Sequence, residues 1–191
     1  MKFRIPFIYI VMLTFLLTAC SSSTIKNPLN YQVEKFNFTN HKGESFGLQD
    51  LEGKVWMASF IFTNCDDVCL PMTANMKILQ DQVKEEGIEN VHFVSFSVDP
   101  TVDTGEALIE FGNMFGVDYS NWDFLTGYSQ EEIEQFAIDS FKAIVKKPQS
   151  GDQVIHGTSF YLVDAKGKVM KDYSGLDMPT DDIINDIKLL Q

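Results

Sequence analysis

Val55-Trp56-Met57-Ala58-Ser59-Phe60-Ile61-Phe62-Thr63-Asn64-Cys65-Asp66-Asp67-Val68-Cys69-Leu70-Pro71-Met72 is the stretch that decides the fold. Val55 to Thr63 is a near-continuous apolar run, rich in β-branched and aromatic residues, which predicts a strand buried on both faces. From Thr73 to Lys84 the apolar residues Met76, Leu79 and Val83 recur at helical spacing. Between strand and helix lie two cysteines four positions apart. Such a pair can close a short disulfide, exchange electrons, or present two thiolates to one soft metal ion.

Outward from this unit the alternation continues. Val91 to Val98 reads as a second strand ending at Asp99-Pro100, and Glu106 to Phe115 as a helix. Asn121 to Leu125 is a short strand, and Ser129-Gln130-Glu131-Glu132 opens the next helix as a capping box. Ser159 to Val163 and Val169 to Tyr173 flank the turn Asp164-Ala165-Lys166-Gly167 as a hairpin, and Asp181 to Leu190 closes the chain as a helix. Before the central unit, Phe36 to Thr39 and Ser45 to Leu48 surround His41-Lys42-Gly43-Glu44, a second hairpin with Gly43 in its turn. Strands alternating with helices imply parallel strands joined by crossover helices, and the last hairpin adds antiparallel strands. The expected class is α/β: a thioredoxin-like three-layer sandwich with an added N-terminal β-hairpin, spanning residues 31–191.

The N-terminus sets the compartment. Lys2 and Arg4 precede an almost wholly apolar Ile5 to Leu17, and Leu17-Thr18-Ala19-Cys20 closes it. A basic start, an apolar core and small residues before a cut describe a secretory signal. The ending resembles the bacterial lipoprotein signal, in which the cysteine is acylated. Residues 1–19 are therefore expected to be a lipoprotein signal peptide, Cys20 the lipidation site and 20–30 a tether. The domain is then extracytoplasmic, lipid-anchored to the outer face of the cell membrane, with Cys65 and Cys69 as its two remaining thiols.

The 191-residue chain carries 27 acidic and 15 basic residues. Without Lys2 and Arg4 the balance is 13 against 27, a net charge of −14. So acidic a surface argues against nucleic acid and against charge-driven binding of anionic headgroups. Arg4 is the one arginine. A peroxiredoxin-type peroxidase, which needs an Arg beside its reactive Cys, is therefore disfavoured.

In the expected fold the thiols fall where a helix begins. The helix N-terminus favours a thiolate, while Asp66 and Asp67 oppose it. Soft thiolates suit Cu(I), zinc and Fe–S centres, and imidazole suits Cu(II) and zinc. His41, in a hairpin turn, and His92, near the start of a strand, are poorly placed as ligands. His156 lies in Val154-Ile155-His156-Gly157-Thr158, a loop that adjoins the cysteine loop in such a sheet. From the residues alone it is either a loop hydrogen-bonder or the third ligand of an open Cys2His site. Asp99 and Asp103 read as a turn at Asp99-Pro100 followed by a helix cap on Asp103 or Thr104, or as an acidic pair close to the metal or facing a partner. Met72 and Met76, at helical spacing, read as core.

Three segments together resemble the Sco/SenC family: Phe62 to Met72, Ser97-Val98-Asp99-Pro100-Thr101-Val102-Asp103-Thr104, and Val154 to Leu162. They occur in order, and the likeness runs from about Asn30 to the C-terminus, with the lipoprotein start of the Bacillus-type members. The resemblance implies a thioredoxin-like fold and a role in assembling the binuclear CuA centre of cytochrome c oxidase. It implies copper, as Cu(I) or Cu(II), held by Cys65, Cys69 and His156, with Asp99 nearby. It implies the oxidase's copper-binding subunit II as the partner. One departure is Leu70, where the family commonly has proline directly after the second cysteine; Pro71 follows one later. Thr158-Ser159 also offers no proline where thioredoxins place a cis-proline facing their cysteines. The expected function is a membrane-tethered copper metallochaperone. The alternatives are a thiol-disulfide oxidoreductase acting through Cys65 and Cys69, or a copper or redox sensor.

Overall fold

A computed structural model describes residues 25–191. The signal segment and Cys20 lie outside the described residues. The apolar run forms β4 (Val55–Ile61), all seven residues of which are buried. β5 (Val91–Ser97) is equally buried and pairs with it in parallel, from Val55 opposite Val91 to Ile61 opposite Ser97. β6 (Trp122–Thr126) continues the parallel set. On the other side of β4 runs β9 (Ser159–Val163), antiparallel, followed by its hairpin partner β10 (Lys168–Ser174). The short β1 (Tyr31–Gln32) pairs with β10, and the hairpin β2 (Asn37–Asn40) and β3 (Ser45–Gly47) joins β6 through β2. The order across the sheet is β1-β10-β9-β4-β5-β6-β2-β3.

The helices are α1 (Cys69–Glu85), α2 (Gly105–Met114), α3 (Gln130–Phe141) and α4 (Thr180–Leu189). The crossovers β4-α1-β5 and β5-α2-β6 step in one direction across the sheet, so right-handed connection puts α1 and α2 on one face. α4 packs against α1. α3 covers the opposite face, where Phe136 and Phe141 stand 5.2 and 6.0 Å from the Phe96 ring and Phe141 stands 5.4 Å from Phe60. The expected three layers are present, with helices on both faces of one sheet.

Both hairpins form where the turn chemistry places them. Gly43 takes φ 81° and Gly167 φ 76°, left-handed values that favour glycine. Asp164 Oδ1 accepts from the Lys166 and Lys168 N–H groups at 2.9 and 2.8 Å. The capping box is complete: Ser129 Oγ accepts from the Glu132 N–H, and Glu132 Oε2 from the Ser129 N–H.

α1 starts four residues earlier than the apolar spacing predicts. Cys69, Leu70 and Pro71 form its first turn, where a proline is tolerated because its missing N–H has no intrahelical partner to lose. Two further two-residue strands, β7 (Val145–Lys146) and β8 (Ile155–His156), pair as a separate ribbon that periodicity does not reveal. The chain also reaches the sheet before Asn30: Ile25 is buried, and the Leu29 N–H donates to the Met170 carbonyl at 2.9 Å.

His41 and His92 lie in a buried cluster at the start of β6, away from the thiols. Asp123 accepts from Asn40 Nδ2 at 3.0 Å and lies 2.9 Å from His92 Nε2 and 3.7 Å from His41 Nδ1. Burial pushes the Asp123 carboxyl up, but the His92 contact, both histidines and Asn40 outweigh it and hold the group below its ordinary value. His41 is held below its ordinary value by burial, with the Asp123 charge partly opposing. Its Nδ1 accepts from the Phe124 N–H at 3.3 Å, as a neutral imidazole does.

The unfolded chain protonates His41 near pH 6.5, the folded protein only at lower pH. In that window the unfolded state binds more protons, so stability falls as pH drops below about 6.5. The expected outcome is a lower urea midpoint at pH 5.5 than at pH 7.5, with a His41 ring titration midpoint under 6.5 by NMR. A His41 midpoint at or above 6.5 contradicts this account.

Candidate metal centre

Cys69 is the first residue of α1 and is buried, while Cys65, on the turn that precedes it, is half-buried. Both thiols are free, and the Cys69 N–H points at Cys65 Sγ, 3.4 Å away. His156 ends β8, and its Nε2 lies 3.4 Å from Cys69 Sγ. The two sulfurs and the imidazole nitrogen all lie within 4.8 Å of one another. The loop carrying His156 thus adjoins the cysteine loop, as the strand order requires.

The His156 ring is oriented by its other nitrogen. Its Nδ1 contacts the Gly157 carbonyl at 2.9 Å, and a carbonyl only accepts, so Nδ1 carries the proton and Nε2 presents its lone pair to the thiols. Burial holds His156 below its ordinary pKa, with the Gly157 contact opposing, which keeps the ring neutral and able to donate to a metal. The Phe62 ring packs edge-on to it at 5.7 Å.

The thiol electrostatics correct one expectation. The helix N-terminus does not make Cys69 a ready thiolate; burial pushes its thiol well up, and the hydrogen bond and charge of Cys65 push the same way. The acid that adds to this is Asp103, not Asp66 or Asp67, both of which are exposed. A buried thiol becomes a thiolate when a bound cation displaces its proton. Two sulfurs and a neutral imidazole form a soft donor set of three atoms, a combination that suits Cu(I).

Asp99 and Asp103 are buried beneath this loop with distinct tasks. Asp103 accepts from the Thr63 N–H at 3.1 Å, from Thr63 Oγ1 at 2.6 Å and from Ser97 Oγ at 2.5 Å. It ties the start of the cysteine loop to the end of β5. Thr104, not Asp103, caps α2, its Oγ1 accepting from the Ala107 N–H at 3.2 Å. Asp99 forms the expected turn through its carbonyl and pairs with Lys147 Nζ at 2.6 Å. Sequence reading offered Asp103 as a cap or an acid near the metal and did not find its bonds to Thr63. An acid six residues beyond the end of β5 carries no mark of which backbone it will meet. Met72 and Met76 are buried in the core, as their spacing implies.

A thioredoxin-like sheet with two free thiols and a neutral imidazole converging at the ends of its central strands defines a protein with a dithiol–imidazole cluster. The family model described as SCO1/SenC matches residues 26–190, and the chain belongs to that family. The SCO1 protein homolog of Bacillus subtilis is 56% identical over 173 residues, covering 90% of this chain and 89% of that protein. A SCO1/SenC family lipoprotein from Bacillus anthracis superposes with a TM-score of 0.84 at 56% identity, over 87% of this chain and 99% of that one. BsSco, described as a member of the Sco family of cytochrome c oxidase assembly proteins with a disulfide switch, superposes with a TM-score of 0.81 at 55% identity, over 87% of this chain and 97% of that one. Arabidopsis thaliana ScoI, solved with copper bound, gives 0.70 at 27% identity, over 81% of this chain and 97% of that one.

Replacing Asp103 by Ala leaves the Thr63 N–H, Thr63 hydroxyl and Ser97 hydroxyl without their acceptor. The expected cost is about 3 kcal/mol of folding stability, from one or two buried donors left unpaired. Chemical denaturation of the Asp103→Ala protein measures it. A loss below about 1 kcal/mol means that water replaces the carboxylate at little cost.

Proposed function

We propose that this protein is a membrane-tethered copper metallochaperone that assists assembly of the CuA centre in cytochrome c oxidase. The observation that carries the reading is the convergence of Cys65 Sγ, Cys69 Sγ and His156 Nε2 within 4.8 Å, with no fourth histidine, cysteine or carboxylate in the group among the described residues. A set of three ligands leaves copper open to an incoming donor, as transfer of a cargo metal requires. The copper-bound plant relative and the oxidase-assembly description of BsSco support copper as the cargo and the oxidase as the destination. Subunit II, which carries the CuA site, is the proposed acceptor. The Leu17-Thr18-Ala19-Cys20 ending and the Bacillus anthracis lipoprotein support a lipid anchor on Cys20 that holds the site just outside the membrane.

A second reading is favoured by the two thiols themselves. They are free, adjacent and unblocked on the Cys65 side, and BsSco is described as having a disulfide switch. A dithiol of this kind reduces a target disulfide as its own two sulfurs join, a two-electron exchange that leaves two thiols on the target. The two readings part at His156, which a metal carrier needs and a dithiol reductant does not.

The reduced protein is expected to bind one copper per chain, and its Cu(II) form to show an intense thiolate charge-transfer band in visible absorption. Cys65→Ser and Cys69→Ser each remove the band; its survival in both single variants would sink the dithiolate site. Copper binding only to the folded state raises the melting temperature by mass action, and His156→Ala is expected to reduce that rise. An equal rise in both proteins would make His156 a loop residue and not a ligand.

In cells, loss of the protein is expected to lower the activity of an oxidase containing the CuA centre while sparing quinol oxidases that lack it. Partial rescue by added copper supports metal delivery. Rescue by a membrane-permeant thiol but not by copper supports the reductase. Normal CuA oxidase activity in copper-limited cells lacking the protein refutes both and leaves the sensor.

A further inference from the structure

The segment that brings His156 to the thiols is attached unevenly. Its base is held twice, by the β7–β8 pairing of Val145 with His156 and Lys146 with Ile155, and by the Lys147–Asp99 ion pair. Beyond Lys147, residues 148–153 make hydrogen bonds to the rest of the protein through one side chain among the described residues, that of Gln153. Gln153 Nε2 donates to the Asn64 carbonyl at 2.9 Å, and Gln153 Oε1 accepts from the Asp66 N–H at 3.4 Å. These two backbone groups flank Cys65 on either side.

We infer that Gln153 is a positioning residue of the dithiol–imidazole centre, its amide clipping the Cys65 loop to the segment that carries His156. Gln153 touches none of the three ligand atoms. It lies three residues before His156, so the clip fixes where the imidazole stands relative to both sulfurs. A primary amide suits the task because it offers one donor and one acceptor to the two opposed backbone groups. A carboxylate there lacks the donor that Asn64 needs and adds a third negative charge beside Asp66 and Asp67. Groups that hold ligands in place, without binding the metal, commonly contribute 10–100-fold to affinity. The inference rests on the copper-binding reading above.

The test is a competition titration of the purified full-length protein with Cu(I) against bicinchoninate. Gln153→Leu is expected to weaken Cu(I) binding by about tenfold, and Gln153→Glu to weaken it as well. If Gln153 acts through the imidazole, Gln153→Leu/His156→Ala binds no more weakly than His156→Ala alone. In the Cu(II) form of Gln153→Leu the thiolate band stays while the nitrogen hyperfine coupling in EPR is lost or reduced. Without metal, exchange of the Asp66 amide hydrogen is faster in Gln153→Leu, while the melting temperature stays within about 2 °C, as for a half-buried loop residue outside the core. Wild-type affinity in Gln153→Leu, or losses from Gln153→Leu and His156→Ala that add in full, would overturn the inference. If the wild-type protein takes up no copper, the copper reading fails by itself; unchanged Asp66 exchange in Gln153→Leu then overturns the clip, and faster exchange upholds it.

Discussion

The antiparallel pairing of β9 with β4 is the contact on which the site depends, because it brings together Cys69 and His156, which lie 87 positions apart. β4 ends toward the cysteines, and β9 begins just after His156. Opposite strand directions bring the end of one beside the start of the other, with Ala58 against Tyr161 and Met57 against Leu162. Neither ligand set is local to the other. The site exists only when this central ladder is formed, so folding and ligand assembly are one event.

The ladder is secured by burial on both faces. α3 presses its phenylalanines on the side of Phe60 and Phe96, while the side of Ser59 and Ser95 carries a small satisfied polar network. There Ser59 Oγ and Ser95 Oγ lie 2.9 Å apart, and Trp122 Nε1 donates to Ser95 Oγ at 3.0 Å. Hydroxyls this deep persist because each has a partner. Above the sheet, Asp103 extends the same logic to the cysteine loop, its buried carboxyl accepting from the Thr63 N–H, the Thr63 hydroxyl and the Ser97 hydroxyl and so tying Thr63 to β5. That burial keeps the carboxyl above its ordinary pKa, with Ser97 and Thr63 pulling it down.

The site therefore combines a rigid half and a suspended half. Cys69 starts a long helix and is sealed from water, so its thiol resists ionisation without a cation. Cys65 and His156 sit on loop and ribbon held by a few polar contacts. A carrier of metal or electrons has use for this division. In the carrier proposed above, the rigid half would keep the Cys69 sulfur in place while Cys65 and His156 sit on the more lightly held segments.

What the chain determined by itself is the set of elements and their order. Val55 to Thr63 declares a buried strand through unbroken apolarity, Ser129 to Glu132 declares a helix start, and Gly43 and Gly167 declare turns through conformations other residues resist. These are local effects, and local chemistry can be read along a chain. Cys65 and Cys69 were legible because two thiols four apart have few uses, and likeness to a family singled out His156. Tertiary structure alone decided the rest. The ribbon of β7 and β8 is two residues wide and shows no period. Asp103 meets Thr63, and Gln153 meets Asn64 and Asp66, only because strands from remote parts of the chain end side by side. The raised Cys69 thiol reflects how much apolar protein surrounds it, which outweighs the helix N-terminus that sequence alone brings into view. Burial and long-range hydrogen bonds are properties of packing, and packing is settled by the whole sheet.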